Sequence, residues 1–95
     1  MINRKFAWDE QKFKSNIQKH GISFLEATSV FDDEDALYGY DEGHSGDEDR
    51  FIVLGVNNDL KLLIVCHCYR DEDSVIRIIS ARKANIKEQA KYRRR

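Results

Sequence analysis

Three polar residues of this chain, Arg50, His67 and Arg77, each lie in a run of residues that otherwise has the pattern of a buried strand. Arginine holds phosphate oxygens in forked hydrogen bonds, and histidine titrates near neutral pH without help from its surroundings. RNA carries its own nucleophile, the 2′-hydroxyl, so its cleavage needs only a base, an acid and cations around the phosphate. If the three side chains lie together, the expected chemistry is cleavage of an RNA phosphodiester without a metal or other cofactor.

The turns predict that these residues align in one row across three strands. If Asn58-Asp59 is a two-residue turn, Arg50 pairs with His67. If Asp71–Asp73 is a three-residue loop, His67 pairs with Arg77. The opposite face of the sheet would then carry mostly apolar residues for a core against the helices: Phe51, Val53, Gly55, Leu62, Ile64, Cys66, Ile76, Ile78 and Ser80. A slip of one residue in either hairpin would drive an arginine into that core, which is unfavourable.

Two arginines that flank a histidine repel each other unless an anion lies between them. That anion is either a substrate phosphate or a carboxylate such as Glu48, and in the second case the row is only a solvated sheet edge. Lys19 and His20 end the first predicted helix, where His20 is either a cap beside Gly21 or part of a site. The remaining candidates are a loop pair able to close over a substrate, two arginines near strand ends, and a tyrosine that either stacks on a base or anchors the core: His44, Ser45, Arg70, Arg82 and Tyr92.

Caps, turns and apolar periodicity predict eight elements in the order β-α-α-β-β-β-β-α. Asp9 and Gly21 bound the first helix, and Ser23 with Glu26 forms a capping box at the start of the second. The expected strands are Phe6–Trp8, Ala36–Tyr40, Arg50–Val56, Leu60–Arg70 and Ser74–Arg82, and the last helix is Ala84–Tyr92. Asp41–Asp49 is predicted to be a mobile loop. The predicted fold is a single α+β domain over residues 1–95 with a mostly antiparallel sheet.

The chain has 95 residues, 41% of them hydrophobic, which suits one small domain. The net charge of −1 conceals nine acidic residues and no Lys or Arg from Asp32 to Asp49, and seven basic residues with one acidic from Arg82 to Arg95. The basic segment predicts contact with a nucleic-acid backbone, although a frayed helix end explains its last three arginines equally well. No apolar run of 18 residues occurs, and Met1–Trp8 lacks a secretory apolar stretch, so we expect a cytoplasmic protein without membrane association.

Cys66 and Cys68 lie two positions apart on one predicted strand, so their side chains point the same way but are poorly placed for a disulfide. With His67 between them they also form a weak zinc motif. We expect buried structural thiols and no bound metal.

Several motifs in order between Phe6 and Tyr92 together resemble one known family. They are Phe6-Ala7-Trp8-Asp9; Asn16 with Lys19-His20-Gly21-Ile22-Ser23-Phe24 and Glu26-Ala27; Val30-Phe31-Asp32; His44-Ser45; Glu48-Asp49-Arg50; Leu54-Gly55; Leu62-Leu63-Ile64-Val65 with His67; and Ile76-Arg77-Ile78-Ile79-Ser80-Ala81-Arg82 with Glu88 and Tyr92. The family is the BrnT toxins of bacterial type II toxin–antitoxin modules. The chain departs from it at Asp33, where the family often has proline, and at Cys68, where threonine often follows the histidine.

The resemblance implies a fold similar to RelE-type ribonucleases and an RNA-cleaving toxin that arrests growth. It also implies neutralisation by a BrnA-like antitoxin with a DNA-binding region, through which the complex binds operator DNA and represses its own operon. The catalytic residues so predicted are His67, Arg77, Arg50, Glu48, Lys19 and Tyr92, and the predicted RNA-binding residues are Arg70, Arg82, Lys83 and Lys87. The alternative function is a non-catalytic partner of the antitoxin that acts as a transcriptional co-repressor.

Overall fold

The computed structural model of the protein describes residues 5–94, so predictions about the first four residues and Arg95 lie outside this part of the chain. The strands are β1 (Lys5–Ala7), β2 (Leu37–Tyr40), β3 (Phe51–Val56), β4 (Leu62–Arg70) and β5 (Val75–Lys83), and the helices are α1 (Glu10–His20), α2 (Phe24–Ala27) and α3 (Ile86–Arg93). Short 3-10 turns follow α2 at Thr28–Asp32 and β2 at Glu42–His44. The predicted α+β class and element order are confirmed.

The ends of the first two helices form where the sequence predicts them. The Asp9 carboxylate accepts the backbone N–H of Gln11 at 2.7 Å, and Gly21 ends α1 in the left-handed conformation, with φ of 69°. Ser23 and Glu26 form the predicted capping box, in which the side chain of each accepts the backbone N–H of the other. These caps fix the bend between α1 and α2.

The five strands form one mixed sheet in the order β1-β5-β4-β3-β2. β1 runs parallel to β5, and all other neighbours are antiparallel. One face, which we call the core face, carries Val53, Val65 and Ile78 and packs against α1, α2 and the following 3-10 turn. The other, which we call the α3 face, carries Leu54 and Ile64 and forms a smaller apolar cluster with the start and end of the α3 region. No helix within residues 5–94 is long and apolar enough to cross a membrane.

A buried asparagine ties α1 to the sheet. Asn16 is 5% exposed, and its amide donates hydrogen bonds of 2.8 Å to the carbonyl oxygens of Ile22 and Ala81. Its side-chain oxygen accepts the backbone N–H of Ala81 at 3.1 Å. Because the buried amide has a partner for both its donor and its acceptor, it fixes α1 against β5 without an unsatisfied polar group.

The predicted register between β3 and β4 is wrong by one residue. The turn holds three residues, 58–60, because Leu60 adopts a left-handed φ of 63° and a backbone hydrogen bond of 2.9 Å closes the hairpin after it. Phe51, rather than Arg50, therefore pairs with His67.

The predicted register between β4 and β5 is also wrong by one residue. The loop has four residues, Asp71–Ser74, and its three acidic residues have positive φ values between 51° and 71°. Arg77 therefore pairs with Cys68, whereas His67 pairs with Ile78. A register shift immediately before His67 changes the pairing again toward the start of β4.

These two slips reverse the side-chain directions of β4 relative to the prediction. The β4 residues on the core face are Leu63, Val65 and His67, and those on the α3 face are Ile64, Cys66 and Cys68. Arg50 and Arg77 stay on the α3 face, so the predicted row with His67 does not form.

Candidate active site

Two arginines converge on one carboxylate where β3 begins and β4 ends. Glu48 Oε2 accepts a 2.7 Å hydrogen bond from Arg70 Nη2, and Glu48 Oε1 lies 3.5 Å from Arg50 Nε. The hydrogen bond from Arg70, reinforced by the charges of both arginines, holds the pKa of Glu48 below its usual value, although burial opposes the shift. Arg50 Nε is buried and has no hydrogen-bond partner within the described residues. Glu48 is therefore ionised at neutral pH and is shared by two guanidinium groups.

Arg77 joins this group from β5. It pairs with Cys68, and one further step of the β3–β4 register sets Arg50 opposite the same cysteine. Burial, reinforced by the charge of Glu48, raises the pKa of the Cys68 thiol above its usual value, although the charges of Arg70, Arg77 and Arg50 oppose this shift. Three cations thus lie within electrostatic reach of one sulphur atom, and Cys68 occupies the position that the prediction gave to His67. We call Arg50, Arg70 and Arg77, with Glu48, the arginine cluster.

A cleft of about 300 Å³ extends from the arginine cluster along the α3 face. Sheet residues form its floor, and the loop after β2 and the start of α3 form its walls; its lining residues are Asp41, His44, Arg50, Ile52, Ile64, Cys66, Ile79, Ser80, Arg82 and Glu88. The His44 side chain is 71% exposed, and its Nδ1 lies 3.1 Å from the Asp41 carboxylate. The cleft therefore presents an accessible imidazole together with two arginines.

Arg82 is neutralised within this cleft by a forked ion pair. Its Nη1 and Nη2 each donate a 2.8 Å hydrogen bond to one carboxylate oxygen of Glu88. This pairing is the main cause of the lowered pKa of Glu88, which also accepts the backbone N–H of Asn85 in the capping box of α3. The forked geometry is the one in which a guanidinium binds phosphate.

His67 lies on the core face and is enclosed. It is 0% exposed, and its ring centroid lies 4.8 Å from that of Phe31 and 5.3 Å from that of Tyr69. A neutral imidazole with its proton on Nδ1 satisfies both polar contacts, since it donates to the Val65 carbonyl at 3.1 Å and accepts the Tyr69 hydroxyl at 3.2 Å. Burial lowers the pKa of His67. A phosphate has no access to this ring, so the structure does not bring His67 together with the arginine cluster.

Four other predicted site residues lie outside the arginine cluster. Lys19 is exposed near the end of α1, on the layer that covers the core face. Lys83 at the end of β5 and Lys87 in the first turn of α3 are exposed. Tyr92 is half-buried against the apolar cluster of the α3 face.

Asp33, one of the two positions at which the chain departs from the family that it resembles, has a defined role. The Asp33 carboxylate accepts the backbone N–H of Val56 at 2.9 Å and the hydroxyl of Tyr92 at 2.5 Å. It joins the end of β3 to α3, so Tyr92 acts here as an anchor of the last helix.

Cys66 and Cys68 are free and buried. Burial, together with the Asp41 carboxylate 3.7 Å from its sulphur, raises the pKa of Cys66 to about 11. His67 points to the opposite face, so the three residues of the zinc hypothesis do not converge. Within residues 5–94, no group of three His, Cys, Asp or Glu side chains is placed to hold a metal ion.

Sequence reasoning missed Asp41 as a residue of the cleft. Nothing in the sequence distinguishes it from the other acidic residues between 32 and 49, and its role depends on the fold of the loop. The adjacent motif does contain a signal: the Ser45 hydroxyl donates to the Asp41 carbonyl at 2.6 Å and accepts the Arg50 N–H at 2.9 Å. Ser45 therefore holds the loop so that His44 faces the cleft.

Comparisons with known proteins agree with this architecture. A family model described as the ribonuclease toxin BrnT of type II toxin–antitoxin systems matches residues 8–88. The 1.1 Å crystal structure of the Brucella abortus ribonuclease toxin BrnT is similar, with a TM-score of 0.68 and 25% identity, over 87% of this chain and 99% of that chain. No curated protein sequence matches the chain. Because the family match spans most of its length, the chain belongs to the BrnT ribonuclease toxins of type II toxin–antitoxin systems.

Proposed function

We propose that the protein is a metal-independent endoribonuclease that cleaves RNA at the arginine cluster and thereby arrests growth. The observation that carries this proposal is the convergence of Arg50, Arg70 and Arg77 on one surface around Glu48, which pairs with two of them. Like charges on neighbouring strands repel, and Glu48 pairs with Arg50 and Arg70 but leaves Arg77 without an ion pair among residues 5–94. The remaining positive charge favours an anion, and a phosphodiester is the anion that forked donors hold best.

The proposed chemistry uses the 2′-hydroxyl of RNA as the nucleophile. Glu48, which its arginine partners keep ionised, takes the proton of this hydroxyl as the O2′–P bond forms. Arg50 and Arg77 hold the phosphate oxygens, on which negative charge increases in the transition state. His44 at the cleft rim protonates the departing O5′ as the P–O5′ bond breaks, which leaves a 2′,3′-cyclic phosphate and a free 5′-hydroxyl.

The other predicted residues take supporting roles in this proposal. Arg82 binds a neighbouring phosphate in the cleft when that phosphate replaces Glu88, and Lys83 and Lys87 contact the RNA backbone beyond it. His67 contributes to the core, and Tyr92 fixes α3. Lys19 is assigned no contact with the reacting phosphate, because it lies on the layer that covers the other face.

Membership of a type II toxin–antitoxin family implies an antitoxin partner and an RNA substrate. We propose that the antitoxin is BrnA-like and that operator DNA is bound only through the complex. The acidic stretch Asp32–Asp49 suits a basic partner surface. The second candidate function is a non-catalytic antitoxin partner that acts as a co-repressor, and it is favoured by the fact that Glu48 and Glu88 already pair with three of the arginines.

The test is incubation of the purified chain, freed of any partner, with total RNA in EDTA. Arg77→Ala is expected to lower the cleavage rate by about 10²-fold or more, because it removes a donor from the phosphate. Glu48→Gln and His44→Gln are each expected to lose about 10²–10⁴-fold, the usual contribution of a proton-transfer group. Lys14→Ala, which removes one positive charge from the exposed surface of α1, is the matched control and should cleave like the parent.

Two outcomes would contradict the proposal in different ways. Equal cleavage by the parent and Arg77→Ala would place the reaction elsewhere on the protein. No cleavage by the parent, with ribosomes also supplied, would favour the co-repressor function.

A further inference from the structure

A second cavity, of about 430 Å³, lies beside the arginine cluster and shares Glu48 and Arg70 with it, whereas its other lining residues have no part in the proposed cleavage chemistry. It is at the end of the sheet where β3 begins and β4 ends, and it combines two aromatic rings, three carboxylates and one guanidinium: Phe51, Tyr69, Glu48, Asp49, Asp73 and Arg70. We propose, on the basis of the function proposed above, that this cavity binds one base of the RNA substrate and selects guanine.

The aromatic wall of the cavity suits a flat ring. The centroids of Phe51 and Tyr69 lie 5.5 Å apart, with an angle of 58° between the rings, and both side chains are half-buried. The buried His67 ring supports this wall from below, with its centroid 6.3 Å from Phe51 and 5.3 Å from Tyr69, and it accepts the Tyr69 hydroxyl. Unpaired RNA bases are commonly bound by stacking on aromatic side chains held in this way.

The charge of the cavity excludes a phosphate from it. Glu48, Asp49 and Asp73 provide three carboxylates against the single guanidinium of Arg70. A neutral group that donates hydrogen bonds is therefore the better ligand. One nucleotide therefore fits both sites, with its neutral base in the acidic cavity and its phosphate at the neighbouring arginine cluster.

Two of the carboxylates are placed to accept hydrogen bonds from a base. Asp73 has no side-chain hydrogen bond or ion pair within residues 5–94, and Asp49 is held only through Oδ1, which accepts the Tyr40 hydroxyl at 2.9 Å. Guanine presents an N1–H and an N2–H side by side, which match the two oxygens of one carboxylate. In adenine and cytosine the amino group lies beside an acceptor nitrogen, and in uracil the N–H lies between two carbonyl oxygens. A carboxylate therefore favours guanine over the other three bases.

Glu48 connects the cavity to the arginine cluster. One of its oxygens faces Arg50 and the other accepts Arg70, which also lines the cavity. Arg50 and Phe51 are consecutive, so their side chains point to opposite faces of the sheet. A nucleotide whose base lies on Phe51 thus turns around the end of the sheet and presents its phosphate to Arg50.

The experiment compares cleavage of four RNA oligonucleotides that differ only in one central nucleotide, in EDTA. The oligonucleotide with guanine should be cut with a kcat/KM at least about tenfold above the other three, which corresponds to one well-placed bidentate contact. Asp73→Asn should reduce this preference about tenfold while cleavage of the other three oligonucleotides continues. Asp71→Asn, in the same loop but outside the cavity, is the matched control and should retain the preference.

A binding measurement separates failure of the cavity from failure of the enzyme. Addition of 5′-GMP should shift the ring resonances of Phe51 and Tyr69 more than addition of 5′-AMP does. Equal cleavage of all four oligonucleotides by an active protein would overturn the guanine site and leave the ribonuclease standing. A GMP-specific shift of the ring resonances without any RNA cleavage would overturn the proposed ribonuclease function but leave the base site standing. Rings that respond to a basic antitoxin and not to GMP would identify the cavity as a protein interface and overturn the base site.

Discussion

The enclosure of His67 predicts that the protein loses folding stability below about pH 6.5 because this ring must stay neutral. Burial lowers the pKa of His67 in the native state, whereas the unfolded chain titrates near the ordinary histidine value of 6.5. Below that pH the unfolded state binds a proton that the native state does not, so protons favour unfolding. The contribution of His67 to the free energy of unfolding is fully present above pH 6.5, and it is lost as the pH decreases until the native pKa is reached.

The magnitude follows from one proton. The free energy of unfolding changes by at most about 1.4 kcal/mol per pH unit for a single group, so the decrease from pH 6 to pH 5 is at most about 1.4 kcal/mol. His67→Phe keeps a ring among the aromatic neighbours but removes this group. At pH 7.5 the variant should lose about 1–3 kcal/mol, because the hydrogen bonds with Val65 and Tyr69 are gone.

The assay is urea unfolding of the parent and variants at pH 7.5, 6.0 and 5.0. His67→Phe should have a shallower dependence of stability on pH than the parent over this range. His20→Gln removes an exposed histidine and should leave the parent's dependence unchanged. An identical pH dependence in the parent and His67→Phe would show that His67 titrates normally, and the argument for a neutral, enclosed ring would be wrong.

Two further predictions concern packing and buried hydrogen bonds, both measured by urea unfolding. Gly55→Ala should destabilise the protein by about 1–3 kcal/mol, because the new Cβ would lie 2.9 Å from a Val30 methyl. The control is Gly46→Ala, whose Cβ would have nothing within 4 Å and which should be neutral. Equal effects of the two substitutions would mean that the strand moves away from Val30 without strain. Asn16→Ala should lower the free energy of unfolding by at least about 2 kcal/mol, since it leaves buried backbone groups unpaired. Gln18→Ala, at an exposed position of the same helix, should change stability little. A small effect of Asn16→Ala would show that α1 is held by apolar contacts alone.

The features that the sequence predicts well are local. Asp9, Gly21 and Ser23 fix helix ends through contacts with backbone groups a few residues away, so each signal is complete within a short segment. The class and order of elements follow from such signals and from the spacing of the turns.

The register could not be predicted because it depended on loop conformations that the residue types do not favour. Leu60 occupies a left-handed position that the sequence would assign to glycine or asparagine. The expected energetic cost of a one-residue slip does not arise, because β4 is apolar on both faces from Leu62 to Val65. Its side chains therefore exchange faces without burial of an arginine. The residue that moved into the core was His67, which needs only two hydrogen bonds to be accommodated.

Arg50 and Arg77 nevertheless share a face of the sheet as predicted, because two register shifts of one residue each cancel in the alternation of side-chain directions. Each hairpin loop is one residue longer than predicted, so β4 shifts by one position relative to β3, and β5 shifts by one relative to β4. The two shifts together preserve the faces of β3 and of the first part of β5, so Arg50 and Arg77 remain on the same side and meet across Cys68 instead of His67. Beyond Ile78 the register shift reverses β5, so Ser80, predicted on the core face, lines the cleft and Ala81 lies in the core. The phosphate binding that we propose for this face therefore does not depend on the histidine, and the proposal assigns the proton transfers to Glu48 and His44, which lie beside the arginine cluster and in the cleft.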